Sequence, residues 1–187
     1  NASTGIYFVT HDSSGHHFSY FRKNSAASQI TPENLPSTYI ASAKVLHISA
    51  ISQAISSSSN DTVNAAIRIA VENSVLISYD TNLRLKLWSL EQARATIQQT
   101  IPYVDFLFPS LEDSILLTGL REPTAIASYY LEKGAKLVAL KLGAEGVLLA
   151  TVDGFHRIPG KTVETIDATG AGDSFDGAFL SEWLKHR

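Results

Sequence analysis

An α/β domain built on a mostly parallel sheet, with helices on both faces, is what this 187-residue sequence predicts. Two observations carry the prediction. From residue 44 onward, short apolar runs such as Lys44-Val45-Leu46-His47-Ile48 and Val75-Leu76-Ile77-Ser78-Tyr79 alternate with helix-periodic segments. The loops between them are short, and parallel neighbours need a crossover helix rather than a tight turn.

The elements follow in order. Residues 5–11 and 16–23 are β-rich and flank the turn-forming Asp12-Ser13-Ser14-Gly15, which predicts a hairpin near the N-terminus. A polar stretch and a Pro-flanked turn at 32–36 lead into the strand at 44–48. The serine run 56–59 reads as an exposed loop, and 61–72 has helical spacing through Val63, Ile67, Ile69 and Ala70. After the strand at 75–79, Ser89-Leu90-Glu91-Gln92 fits a capping box that opens a helix to about Thr100. A strand at 104–108 precedes Ser110, which caps a short helix stopped by Gly119. A helix over 124–133 ends at Gly134, a strand covers 137–142, and 146–151 with 154–158 predict a second hairpin around Asp153-Gly154. The last helix begins within 170–173 and runs to 187.

Composition removes several function classes. With 44% hydrophobic residues the chain can bury one sizeable core and is not disordered. Fifteen basic residues against 18 acidic, without a basic cluster, argue against a nucleic-acid footprint. The absence of Cys excludes a disulfide scaffold, a thiolate zinc site and a cysteine nucleophile. No apolar run reaches membrane-spanning length and no signal peptide is recognisable, so the expected address is cytoplasmic, with no membrane partner. Asn1-Ala2-Ser3 and Asn60-Asp61-Thr62 match a glycosylation sequon of the kind that arises by chance.

The sharpest motif is Asp167-Ala168-Thr169-Gly170-Ala171-Gly172-Asp173-Ser174-Phe175. Glycines let successive backbone N–H groups approach an anion, and a helix starting there adds the positive end of its dipole. Asp173 would face that anion, an awkward place for a carboxylate unless it does proton chemistry or is held by a metal. A general base fits that description; a plain carboxylate in the first turn of a helix is the bland alternative. Gly160-Lys161-Thr162 is not a P-loop: the upstream spacing from Gly154 is one residue too long, Pro159 removes an N–H, and the β-like 163–166 follows where a helix is needed. Phe175 occupies the third glycine position of a dinucleotide fingerprint, which disfavours that fold. His11, His16 and His17 belong to an exposed hairpin rather than a metal site, and His47 reads as a core residue. Arg84 follows a buried strand, where open α/β sheets bind ligands.

With these residues in view, the chain resembles the ribokinase-like (PfkB-type) carbohydrate kinases. Asp-x-Thr-Gly-Ala-Gly-Asp-x-Phe has the form of that family's second signature. The likeness continues, in the family's order, through Gly5-Ile6-Tyr7, Tyr20-Phe21-Arg22-Lys23 with Ser25-Ala26-Ala27, Asp80-Thr81-Asn82-Leu83-Arg84 with Leu87-Trp88, Pro109-Ser110-Leu111-Glu112-Asp113, and Lys141-Leu142-Gly143-Ala144-Glu145-Gly146. Ser-Leu-Glu-Asp and Lys-Leu-Gly-Ala-Glu-Gly look most like 2-keto-3-deoxygluconate kinases, whereas Asp-x-Asn-x-Arg and Leu-Trp are also seen in fructokinases.

The resemblance implies a ribokinase-like three-layer sandwich and ATP-dependent phosphorylation of a sugar hydroxyl, with ATP and Mg2+ as cofactors. Asp173 would be the general base, with the amides of Gly170, Ala171, Gly172 and Asp173 as the anion hole. Ser110, Lys141, Gly143, Gly146, Gly170 and Gly172 would line the nucleotide site. Asp113 would act on the metal indirectly, although Ser110-x-x-Asp113 stands where the family has Asn-x-x-Glu; Ala168 stands where Thr is common. Tyr7, Tyr20, Arg22 and Arg84 would bind the sugar, and two guanidinium forks suit a sugar carboxylate. The implied partners are a sugar acid and ATP, with a homo-oligomer open. Family members are longer, so residues 1–187 read as one partial kinase domain whose lid, first glycine-rich signature and adenine-side segment are outside the sequence. The missing starting Met agrees with that expectation, as does the expectation that the isolated chain associates and turns over no substrate. A neutral-sugar kinase and a truncated non-catalytic domain are the alternatives.

Overall fold

The structure, a computed structural model, describes residues 2–12 and 15–186. Strands β1 (Ile6–Asp12) and β2 (Gly15–Phe21) pair antiparallel as a separate two-stranded sheet. Residues 13 and 14 of the expected turn and the side chains of His11, His16 and His17 lie outside the described residues. The main sheet has six strands: β3 (Val45–Ser49), β4 (Leu76–Asp80), β5 (Phe106–Leu107), β6 (Leu137–Lys141), β7 (Val147–Thr151) and β8 (Gly154–Ile158), in that spatial order. The first four run parallel, and β7 and β8 complete the sheet antiparallel. The expected α/β class, with its N-terminal hairpin, is the one observed.

Among the described residues seven α-helices accompany the strands: α1 (Ser37–Ala41), α2 (Ala50–Ala54), α3 (Ser57–Glu72), α4 (Leu90–Thr100), α5 (Leu111–Thr118), α6 (Pro123–Glu132) and α7 (Ala171–Lys185). Successive strand residues face opposite sides, and the two faces are covered differently. Ile77, Tyr79, Leu107, Val138, Leu140 and Leu148 pack with Ile67 and Ala70 of α3, Ala93 and Ile97 of α4, Leu117 of α5, and Ile126 and Tyr130 of α6. On the other face Phe106, Phe108, Ala139 and Val147 meet Phe175, Phe179, Leu180 and Trp183 of α7. Edge-to-face rings tie that helix down: Phe106 lies 4.7 Å from Trp183, and Phe108 lies 5.2 Å from Phe179, centroid to centroid. On the first face the buried Tyr79 hydroxyl donates to Gln53 Oε1 (2.5 Å), and Gln53 Nε2 donates to Thr100 Oγ1 (3.1 Å). This chain satisfies polar groups that would otherwise be costly inside.

Three expectations are corrected. The serine run is no loop: Ser56 caps α3, its Oγ accepting from the Ser59 amide at 3.1 Å, and Ser57 to Ser59 form the first turn, with Ser59 buried. His47 is exposed rather than in the core, because β3 is the edge strand and α7 covers only the far side of that face. The β-like run 163–166 enters no strand, and Ile166 is 96% exposed. The short helices α1 and α2 went unread, being only five residues each and too short for a periodicity to show.

Candidate active site

Because β3 to β6 are parallel, their C-terminal ends share one edge, and loops leaving that edge gather the polar residues. Asp80 closes β4, Ser110 follows β5 and pairs as an isolated bridge with Lys141, and Lys141 closes β6. The Lys141 amide donates to the Pro109 carbonyl at 2.8 Å, which locks these two strand ends in register.

The glycine turn reaches the same edge. Gly170 is the N-cap of α7 with φ +78°, in the left-handed region that a side chain would strain. The Asp167 carboxylate accepts from the Thr169 amide at 2.8 Å, and the Ser174 amide donates to the Gly170 carbonyl at 2.9 Å, which shapes the turn on either side of Gly170. Gly172 rides over Lys141: a Cβ there would come 3.4 Å from the ammonium. Asp173 is exposed in the first turn of α7.

Beneath the turn, Lys141 Nζ lies 3.3 Å from Asp80 Oδ1 and 3.2 Å from Asp176 Oδ1. Burial pushes the Asp176 carboxyl up to about 7; Lys141 pulls it down, and the neighbouring Asp80 and Asp173 charges reinforce the rise. His47, whose Nδ1 lies 2.8 Å from Ser78 Oγ, is held below the usual imidazole value by desolvation, with Asp80 and Asp173 pulling upward and Lys141 downward.

Asp113 sits on α5, whose N-cap Ser110 accepts from the Asp113 amide at 3.1 Å. The Asp113 carboxylate accepts from the Leu83 amide at 3.0 Å, so it pins the loop that carries Arg84. Burial raises the Asp113 carboxyl, opposed by that hydrogen bond and by the Arg84 charge. Arg84 is exposed and donates from Nη1 to the Leu83 carbonyl at 3.0 Å. Gly143 has φ +61° and open space where a Cβ would lie, leaving that side free for a ligand. Gly146 has a structural reason to be glycine, since a Cβ would come 2.1 Å from the Ile158 carbonyl oxygen.

Tyr7, Tyr20 and Arg22 form a second cluster on the hairpin. Tyr7 and Tyr20 are cross-strand partners with centroids 6.1 Å apart, and the Arg22 guanidinium lies 5.0 Å over the Tyr20 ring. At the hairpin base a cavity of about 330 Å³ is lined by Thr4, Gly5, Arg22, Ser25, Ala26 and Ile55, among others. Among the described residues, Arg22 Nε and Ser25 Oγ have no hydrogen-bond partner there, though both are buried. A groove of about 350 Å³ between α3 and α4 is lined by residues at those helices' C-terminal ends, which places it at the opposite edge of the sheet.

Asp80 and Asp176 were missed as functional candidates. A signal for Asp176 existed: it stands between Phe175 and Phe179 on the inward-facing side of α7, where a carboxylate needs a partner. Among the described residues no three His, Asp or Glu side chains gather as metal ligands.

A mostly parallel sheet covered by helices on both faces, with a small antiparallel hairpin before it, is the ribokinase fold. The chain belongs to the pfkB family of carbohydrate kinases, whose profile matches residues 1–187. It is 37% identical over 164 residues to a 2-dehydro-3-deoxygluconokinase of Bacillus subtilis, covering 87% of this chain and 51% of that protein. A fructokinase of Solanum tuberosum is 36% identical over 183 residues, covering 97% of this chain and 54% of that protein. Among solved structures, a ribokinase II protein of E. coli in complex with ATP and Mg2+ superimposes with a TM-score of 0.87 at 27% identity, covering 98% of this chain and 58% of that one. The chain thus spans about half the length of the curated relatives it matches.

Proposed function

We propose that this chain carries the catalytic edge of an ATP-dependent sugar kinase that phosphorylates 2-keto-3-deoxygluconate to its 6-phosphate. The observation that carries the reading is the Gly170 to Asp173 turn, set at the N-terminus of α7 and at the C-terminal edge of the sheet, with Asp173 exposed to an acceptor hydroxyl.

Asp173 takes the proton as the hydroxyl oxygen forms its bond to the γ-phosphorus and the bond to ADP breaks. The amides of Gly170, Ala171, Gly172 and Asp173, with the α7 dipole, hold the negative charge on the transferred group. Gly143, Lys141 and Ser110 lie along the same edge for the nucleotide, while Gly146 keeps the loop in place. Asp113 would hold Mg2+ through its waters, and the metal, bound with the nucleotide, would neutralise phosphate charge. Residues 1–187 form a single partial kinase domain in this reading.

Arg22 and Arg84 support an acidic substrate, because a guanidinium fork pairs with a carboxylate and finds no such partner on a neutral hexose. Tyr7 and Tyr20 supply flat surfaces for the sugar. The 36% identity to a fructokinase keeps a neutral sugar as the second reading.

A coupled ATP-consumption assay decides, using this sequence within a chain of its relatives' length and a panel of keto-acid and neutral sugars. Asp173→Asn is expected to lower kcat by roughly 10²–10⁴-fold with little change in ATP affinity. Near-normal turnover removes Asp173 from the mechanism. Arg84→Ala is expected to weaken the acid by about 1.5–3 kcal/mol and a neutral sugar far less. Equal losses favour the fructokinase reading.

A further inference from the structure

Asp176 is 1% exposed on α7, one turn after Asp173, and the chemistry above gives it no role. A buried carboxylate without a partner is costly, and its partner here is Lys141 at 3.2 Å, reaching from the end of β6. The same ammonium lies 3.3 Å from Asp80 at the end of β4. One cation therefore joins two strand ends and the first turns of a helix, and Gly172 lies directly over it.

Other contacts of α7 with the sheet include the rings of Phe175, Phe179 and Trp183 and the Leu180 side chain. Apolar burial is non-directional, and the edge-to-face rings orient this face of the helix against the sheet. The segment 161–169 that feeds α7 is exposed and enters no strand. The ion triad adds a charged tie at the N-terminal end of the helix.

We propose that Asp80, Lys141 and Asp176 form a clamp that fixes the first turn of α7 on the sheet edge, with Asp80 and Asp176 as positioning residues for Asp173 and the glycine-turn amides. The clamp stands on geometry alone; its effect on turnover rests on the kinase reading. Phosphoryl transfer makes the position matter, because a misplacement of about 1 Å can cost a hundredfold in rate. The charged groups facing Asp176 are Asp80, Lys141 and Asp173. With its carboxyl pushed up to about 7, the clamp is complete above that pH and loosens below it as Asp176 takes up a proton.

Two measurements separate the clamp from the kinase reading. On the 187-residue chain itself, amide hydrogen exchange is followed at Ser174 to Gly177, where the Ser174 bond to Gly170 closes the first turn. Asp176→Asn keeps the side-chain shape and removes the charge; it is expected to speed exchange there about tenfold while leaving the amides of α3 and α4 unchanged. Lys141→Arg, which can still bridge two carboxylates, is expected to stay within about threefold of the starting chain. If Asp176→Asn fails to fold, Asp80→Asn gives the same readout. Unchanged exchange in the folded variants overturns the clamp. In a chain of the relatives' length, Asp176→Asn is expected to lower kcat about tenfold with both KM values within twofold, and to flatten the acid limb of the kcat profile near pH 7. Wild-type kcat and an unchanged profile overturn the positioning role. If the unsubstituted chain of the relatives' length phosphorylates no sugar, the kinase reading falls, and exchange alone then decides the clamp.

Discussion

Gly143 and Gly146, three residues apart on one loop, are glycines for different reasons. Both have positive φ, but a Cβ at 143 meets open space, whereas one at 146 would come 2.1 Å from the Ile158 carbonyl oxygen and 2.4 Å from the Gly160 nitrogen. Gly143→Ala is therefore expected to cost about 1–2 kcal/mol of backbone strain. Gly146→Ala adds a clash between β7 and the end of β8, and is expected to cost roughly 3 kcal/mol or more. Urea unfolding of the two variants checks the order; equal losses would show that the close approach gives way cheaply. Ser25 behaves in the opposite sense. Among the described residues its hydroxyl is buried without a hydrogen-bond partner, in the cavity that Arg22 also lines, and an unmade buried hydrogen bond costs about 1–3 kcal/mol. Ser25→Ala is expected to raise the unfolding free energy by about 1 kcal/mol in the unliganded chain. A destabilised variant would mean that the hydroxyl has a partner, such as an ordered water.

At the scale of elements, legibility followed the reach of the interactions that define each one. The capping box at Ser89 and Gln92 is local, with both reciprocal bonds formed as the sequence implies, and α4 starts and ends where it was read. Gly119 ends α5 in the left-handed conformation for the same local reason. The serine run misled because serine favours loops and caps alike, and its part in α3 depends on distant partners. Ser56 Oγ donates to the Ser28 carbonyl at 2.8 Å, and Ser59 Oγ donates to the Ser52 carbonyl at 2.6 Å. Ser56→Ala is expected to cost about 1–2 kcal/mol, combining the lost cap with the lost tie to Ser28. The urea midpoint should fall with an unchanged slope; no shift would return the run to the status of a loop. The site divides in the same way. The glycine turn and Asp173 were readable because a helix N-terminus is a local anion site. Asp80 and Asp176 were not, because a residue 61 positions and another 35 positions from Lys141 meet it only once the sheet has assembled.

For the whole molecule, the titrating groups at the strand edge give stability a pH dependence of definite sign. The folded Asp176 carboxyl stands at about 7 against 3.8 in its reference state, and Asp113 is raised as well, both first by burial. Between those two Asp176 values the native state binds more protons than the unfolded chain, so Asp176 makes stability fall as pH rises from about 4 toward 7, and Asp113 acts in the same direction. His47 acts oppositely: its folded value lies below 6.5, so its contribution rises with pH up to that value and then levels. Above pH 7 the Asp176 penalty is fully present, offset in part by Lys141. Asp176→Asn removes the charge that burial disfavours, and replacing a buried ion by a neutral group of like shape is often neutral or stabilising. The free-energy difference between variant and starting chain is therefore expected to move in favour of the variant by at least about 1 kcal/mol between pH 5 and pH 8, read from urea unfolding at fixed ionic strength. This is also where clamp and stability part company, because the same substitution is expected to loosen the first turn of α7 while the rest of the domain holds or gains. A variant whose disadvantage grows from pH 5 to pH 8 would show that the ionised Asp176 stabilises the fold, and that Lys141 more than repays its burial.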